Sequence, residues 1–190
     1  MRTLLLLGLA LLVGAPAFAD SKDPVEAIRR HDQDLQALLK RYQPANSAQR
    51  DTLKRMINEM FSFPELGKRA LGKTWGGLKK PEQDTFVAVF KRAVESSSIK
   101  RLENYRADST RYTATPGAGD KTVVTATVWR GGKSSKVVYK LFQQNGSWQA
   151  WDLVLDEVSS LRTYKDQFTA IQAKEGFAGV VNRLRAKGGD

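Results

Sequence analysis

Two dipeptides, Gly131-Gly132 and Asn145-Gly146, punctuate a region over 109–155 in which apolar and polar side chains alternate. Such dipeptides supply the positive backbone angles of two-residue hairpin turns, and alternation is the pattern of a strand with one face buried. A β-meander is therefore predicted. Counting back from the second turn sets Leu141 opposite Ala150, Tyr139 opposite Asp152 and Val137 opposite Val154. The first turn sets Val128 opposite Ser135, Ala126 opposite Val137 and Val124 opposite Tyr139. One face then carries Val124, Ala126, Val128, Val137, Tyr139, Leu141, Trp148, Ala150 and Val154. The other carries Thr125, Thr127, Lys136, Lys140 and Gln149, together with Trp129, Phe142 and Trp151. The first set is the core face, because a half-buried sheet must turn its apolar set inward.

The preceding stretch, 24–106, has the helical period instead. Pro24 after Asp23 is a helix start, and Ile28, Leu35, Leu38, Leu39 and Tyr42 follow as one stripe until Pro44 and Asn46 break it. Leu53, Met56, Ile57, Met60 and Phe61 mark a second amphipathic helix. Pro64 opens a short helix to about Leu71, and Gly72, Gly76 and Gly77 are expected to form a loop. Pro81 opens the longest helix, to about Tyr105, with a stripe of Phe86, Phe90, Ala93, Val94, Leu102 and Tyr105. C-terminal helices are expected over 156–186. Helices on one face of a curved antiparallel sheet make an α+β fold.

The N-terminus has the layout of an export signal. Arg2 precedes an apolar run from Leu4 to Val13, and Ala17-Phe18-Ala19 offers small residues at the cleavage positions. The run is shorter than the ~20 residues that cross a bilayer, and Pro16 interrupts its end. The expectation is a signal peptide over 1–19 cut after Ala19, and a single periplasmic domain over 20–190. With no Cys in the chain, disulfides, thiol chemistry and a lipidated Cys are excluded. A single His, His31, argues against a zinc or copper site. His31 lies in the run Arg29-Arg30-His31-Asp32-Gln33-Asp34, which reads as a solvated helix face. The formal charge of +11 would suggest nucleic acid, but an exported protein meets little of it. Solubility and attraction to anionic headgroups or an acidic docking surface are the better explanations.

Two segments carry a family resemblance. Gly146-Ser-Trp148 leads a strand ending Asp152-Leu-Val-Leu155, followed by Asp156-Glu157-Val158-Ser159 and Tyr164-Lys-Asp-Gln-Phe168. Upstream, Phe63-Pro-Glu-Leu-Gly-Lys-Arg-Ala-Leu-Gly-Lys-Thr-Trp75 precedes Pro81-Glu-Gln-Asp-Thr-Phe86. Both resemble the signatures of the MlaC-type (toluene-tolerance) periplasmic phospholipid carriers over about residues 24–185. The family has Gly where this chain has Glu157. The resemblance implies a cystatin-like or nuclear-transport-factor-like sheet with added helices. It also implies a monomeric, non-enzymatic shuttle that needs no cofactor beyond its phospholipid cargo. Its expected partners are an inner-membrane lipid transporter complex, driven by ATP, and an outer-membrane lipoprotein complex.

The cargo sets a physical demand. At ~0.8 kcal/mol per methylene, two acyl chains of about thirty methylenes gain roughly 25 kcal/mol on leaving water, and a shuttle must match that environment. The candidate lining residues are Val124, Tyr139, Leu141, Ala150 and Val154 from the sheet. From the helices and the C-terminal segment they are Phe61, Phe86, Phe90, Val94, Val158, Leu161 and Phe168. Ordinary core packing is the alternative for each.

Three motifs compete. Gly67-Lys-Arg-Ala-Leu-Gly-Lys73-Thr74 matches a phosphate-binding loop letter for letter, but a helical stretch, not a strand, precedes it. Asn145-Gly-Ser147 matches a glycosylation site and is better explained as a turn. Asp152, a carboxylate on a predicted core face, must be hydrogen-bonded or neutralised. It could serve as a general base in an exported enzyme on the same fold, although a structural hydrogen bond to Tyr139 or to backbone is the stronger expectation. A dry-cored envelope interaction module is the third class.

Overall fold

A computed structural model describes residues 22–44, 46–102, 107–117 and 119–189, without the side chains of 100–102. The predicted signal peptide and its cut after Ala19 lie outside the described residues, as does the end of the longest helix at Tyr105. In chain order the elements are α1 (Pro24–Leu39), α2 (Ser47–Met60), α3 (Phe63–Leu71), α4 (Lys73–Gly77) and α5 (Lys80–Leu102). There follow β1 (Ser109–Pro116), β2 (Lys121–Arg130), β3 (Lys133–Gln144), β4 (Ser147–Leu155), β5 (Val158–Ser159) and α6 (Ser160–Gly188).

Local chemistry sets the helix starts. The Asp23 carboxylate accepts from the Val25 N–H at 2.9 Å, with Pro24 just inside the helix, and Asn46 accepts from the Gln49 N–H at 3.1 Å. The predicted glycine loop after α3 contains the short α4 instead. Gly72 adopts a φ of 58° and reverses the chain, which then makes one further helical turn.

The five strands form one antiparallel sheet in the order β1-β2-β3-β4-β5. Both hairpin turns sit where the dipeptides placed them: Gly131, Gly132, Asn145 and Gly146 all have positive φ. The β2–β3 register is as expected, with Val124 opposite Tyr139 and Ala126 opposite Val137. On the other side of β3 the expected register holds only as far as Leu141 opposite Ala150. There a β-bulge inserts Trp151, so that Lys140 faces Asp152, Val138 faces Val154 and Tyr139 faces Leu153. One extra residue exchanges the faces of everything beyond it. Asp152 and Val154 therefore lie on the face opposite the core, and Leu153 takes the inward place.

The apolar interior is divided in two. Under the sheet, Val124, Ala126, Val128, Val137, Tyr139, Leu141 and Ala150 pack with Ile28 of α1 and Met60 of α2. Among the helices, a second cluster gathers Leu53, Phe63, Leu66, Phe86, Phe90, Phe168, Val180 and Leu184 with their neighbours. Phe61 packs against both. It is fixed there by a parallel bridge to Ala150, where the Ser62 N–H donates to the Ala150 carbonyl at 3.0 Å.

α6 is not straight. Gly176 interrupts it with φ 66° and ψ −168°. Residues 164 and 187 would stand roughly 34 Å apart on a straight helix, yet Lys187 Nζ lies 5.8 Å from the centre of the Tyr164 ring. The chain thus doubles back, and Arg183 Nε donates to the Glu175 carboxylate at 3.2 Å across the bend.

Candidate functional site

The sequence signatures turn out to be packing devices. Trp75 meets Phe86 edge-on at 6.3 Å, and Gly67 lies so close to the Phe86 ring that a Cβ there would stand 2.8 Å from its Cε1. Phe63, Leu66, Ala70 and Leu71 turn inward from α3, while Lys73 is exposed. The phosphate-loop match is therefore a buried helical turn and a glycine-ended helix, with no preceding strand to aim it. Tyr164 and Phe168, the aromatic pair of the later signature, enter the same cluster. Tyr164 lies 4.8 Å and Phe168 5.5 Å from Phe90 between ring centres.

Asp152 is the hub of the second signature. Its side chain is 1% exposed. The Ser159 hydroxyl donates to its carboxylate at 2.8 Å, the Leu161 N–H at 2.9 Å and Lys140 Nζ at 3.0 Å. Ser159 also accepts from the Arg162 N–H at 3.0 Å, so one hydroxyl both caps α6 and ties it to the sheet. The structural reading of Asp152 therefore holds: of the two partners expected, a backbone N–H is present, that of Leu161, while Tyr139 is replaced by the start of α6 on the opposite face. A carboxylate with every donor in place and no access to a substrate has no use as a general base. Beside it, Arg69 lies 4.3 Å and Lys140 Nζ 5.3 Å from the Trp151 ring.

The structure places most of the twelve candidate lining residues in the two apolar clusters. Val124, Tyr139, Leu141 and Ala150 are buried on the inner sheet face. Phe86, Phe90, Val94 and Phe168 are buried in the helical cluster, with Leu161 half-buried against it. Phe61 packs against both clusters. Two residues do not belong. Val154 is turned away by the bulge, and Val158 is 64% exposed beside Leu155, its cross-strand partner. The turn joining those two strands explains Val158: Asp156 and Glu157 have φ of 44° and 71°, a tight reversal that leaves only the two-residue β5 beyond it. Glu157 thus holds the left-handed conformation that Gly, the family's residue there, adopts without strain.

Sequence reasoning also misplaced His31. It is 6% exposed on α1 rather than solvated, and burial pushes its pKa down to about 4. Beside it the buried Asp32 accepts from the Tyr112 hydroxyl at 2.5 Å, so the charged-looking run faces β1. The signal missed was its spacing: His31 follows Ile28 by three residues and precedes Leu35 by four, on the apolar stripe itself.

Two clefts open at the surface. One, of about 800 Å³, runs between α1 and β1; the other, of about 310 Å³, lies between the start of α5 and the returning arm of α6. Neither is lined by any of the twelve candidates. Among the described residues no group of His, Asp and Glu is placed to hold a metal, and no helix is long and apolar enough to cross a membrane.

Comparison with known proteins gives two findings. The model of the family described as "MlaC protein" matches residues 29–186, most of the chain. The fold is similar to that of a phospholipid-binding protein from Ralstonia solanacearum, solved in complex with a phospholipid. The TM-score is 0.76 and the identity 19%, over 88% of this chain and 97% of that one. At that identity the likeness establishes the α+β fold.

Proposed function

Because the chain belongs to the MlaC family of phospholipid-binding carriers, which are not enzymes, we propose that it shuttles phospholipid across the periplasm with the acyl chains held between the sheet and the helical cluster. The observation that carries this reading is Phe61. It touches both apolar clusters, so the seam between them is apolar on each side. Acyl chains entering there would pass from Val124, Tyr139, Leu141 and Ala150 on one wall to Phe86, Phe90, Val94, Leu161 and Phe168 on the other. The wall surfaces that now cover each other would cover lipid instead, which keeps the loss of apolar burial small. The headgroup needs no more than the seam's mouth.

The carrier needs no bond-making chemistry. Its work is to hold a cargo whose transfer into water would cost roughly 25 kcal/mol. Loading from an outer-membrane lipoprotein complex and delivery to an inner-membrane transporter complex fit such a shuttle, as does export with cleavage after Ala19. Family membership itself implies the periplasm. The expected mature chain begins at Asp20, which N-terminal sequencing of periplasmic protein checks.

The decisive experiment loads the purified protein with a phospholipid bearing a photoreactive group on its acyl chain and maps the cross-links by mass spectrometry. Adducts on Phe61 and the two walls are expected, with none on Val154 or Val158. Cross-links confined to Val154, Val158 and other outer residues would remove the seam from the mechanism. Protein from the envelope that yields no phospholipid on organic extraction would favour the dry-cored interaction module instead.

A further inference from the structure

The groove between α1 and β1 is lined by none of the residues assigned to the seam. Its walls are strongly biased in charge. Arg29 of α1, Lys40 and Arg41 just past its end and Arg111 of β1 line it, against the single carboxylate of Asp32, which is already bonded to the Tyr112 hydroxyl. Lys40, Arg41 and Arg111 make no ion pair among the described residues. A further donor, the Gln36 side-chain amide nitrogen, is buried on the same wall without a hydrogen-bond partner. An unmade bond of that kind costs about 1–3 kcal/mol and is relieved by an occupant that brings acceptors. β1 is the sheet's edge, paired with β2 alone. Its outer side presents the N–H and C=O groups that an added strand would use.

We propose that this groove docks an extended acidic segment of a partner protein, which adds alongside β1 and sets its carboxylates against Lys40, Arg41 and Arg111. Shape favours a peptide over a membrane. Lys40, Arg41 and Arg111 stand exposed around a cleft of about 800 Å³, whose interior a planar headgroup surface does not enter. Spacing favours a peptide over a lone phosphate: from Arg29 of α1 to Lys40 and Arg41 past its end is roughly 18 Å along the helix direction, which matches about five residues of extended chain. The overall positive charge would steer such a partner toward the protein.

The test uses the full-length mature protein, isotopically labelled, titrated with an eight-residue peptide of alternating Thr and Glu. Saturable binding at low salt is expected, with amide shifts confined to residues 29–41 and 109–116. The triple variant Lys40→Gln, Arg41→Gln, Arg111→Gln should weaken binding at least tenfold and leave co-purifying phospholipid unchanged. The same peptide N-methylated along one edge should also lose affinity, because strand addition needs that edge. The proposal is overturned by absence of saturable binding, by shifts scattered over the surface, or by equal binding to the triple variant. Full affinity for the N-methylated peptide would likewise remove strand addition. If the triple variant binds the peptide normally but no longer floats with vesicles containing anionic lipid, the groove is a membrane contact and the proposal fails.

Discussion

The Ser159 hydroxyl lies 2.8 Å from a carboxylate oxygen of the buried Asp152 and 3.0 Å from the Arg162 amide, so one side chain joins the sheet to the first turn of α6. Everything that α6 delivers to the helical cluster, Tyr164 and Phe168 included, is aimed by that junction. The Asp and Ser of the family signature are thus understood as one structural unit.

Asp152→Ala should lower stability by about 3 kcal/mol, because it strands the Ser159 hydroxyl and the Leu161 N–H and takes the partly exposed Lys140 from its buried partner. Ser159→Ala should cost less, about 1–2 kcal/mol, since the carboxylate keeps two donors. Urea titrations of the two variants check the order. Phospholipid content per folded molecule should stay at the wild-type level in both; a selective loss of cargo in a folded Asp152→Asn protein would contradict a purely structural role.

Glu157→Gly should stabilise the protein by about 1 kcal/mol. The left-handed φ of 71° at this position strains any residue with a Cβ, and the gain exceeds the extra freedom Gly has when unfolded. A higher denaturation midpoint at unchanged slope is the expected result, and a lower midpoint would show that the Glu157 side chain contributes a contact.

His31 should make stability fall in mild acid. Its folded pKa is depressed, from 6.5 to about 4, by burial. Above about pH 6.5 the imidazole is neutral in both states and contributes nothing. Below that, the unfolded chain takes up a proton that the folded chain resists, so stability drops progressively down to about pH 4, by about 3 kcal/mol in all. Denaturation curves at pH 7.5, 5.5 and 4.5 measure the drop. His31→Gln should flatten it, and an equally steep fall in that variant would assign it to carboxylates.

The segment 67–74 offers a contrast between Gly67 and Lys73. Lys73→Ala should change neither stability nor lipid content, and calorimetry with ATP and magnesium should show no saturable heat. Gly67→Ala should cost about 2 kcal/mol, because the new methyl meets Phe86 in a cluster with no room to yield. In a nucleotide site the lysine would be the sensitive residue. Tight ATP binding lost on Lys73→Ala would reverse the assignment.

The sheet was legible because turn chemistry is local: Gly131-Gly132 and Asn145-Gly146 need only their own backbone angles to set a register. The bulge at Trp151 was not, because no turn residue marks it. It is maintained from outside the strand, by Arg69 over the indole and by α6 capturing Asp152. That one residue accounts for the error at Val154 and for the wrong face assigned to Asp152. Val158 failed for a related reason. Its apolar character suggested burial, but a two-residue strand after a tight turn leaves it at the sheet's margin. The candidates with helical period are buried together in the helical cluster, since a stripe of aromatic residues specifies an inward face whatever it meets. Which cluster faces which depends on Phe61 and its bridge to Ala150, a contact between residues far apart in sequence that leaves no periodic trace. The reversal at Gly176 sits among helix-forming residues on both sides, and a lone Gly there reads equally well as a tolerated interior position.

The returning arm of α6 has a bearing on biogenesis. Val180, Val181 and Leu184 complete the helical cluster from the far side of Gly176, and in the order of synthesis they follow every strand of the sheet. Until they emerge, Phe86 and Phe90 lack the residues that close over them. The helical core therefore cannot close until the whole of α6 has been made, however early the sheet has formed.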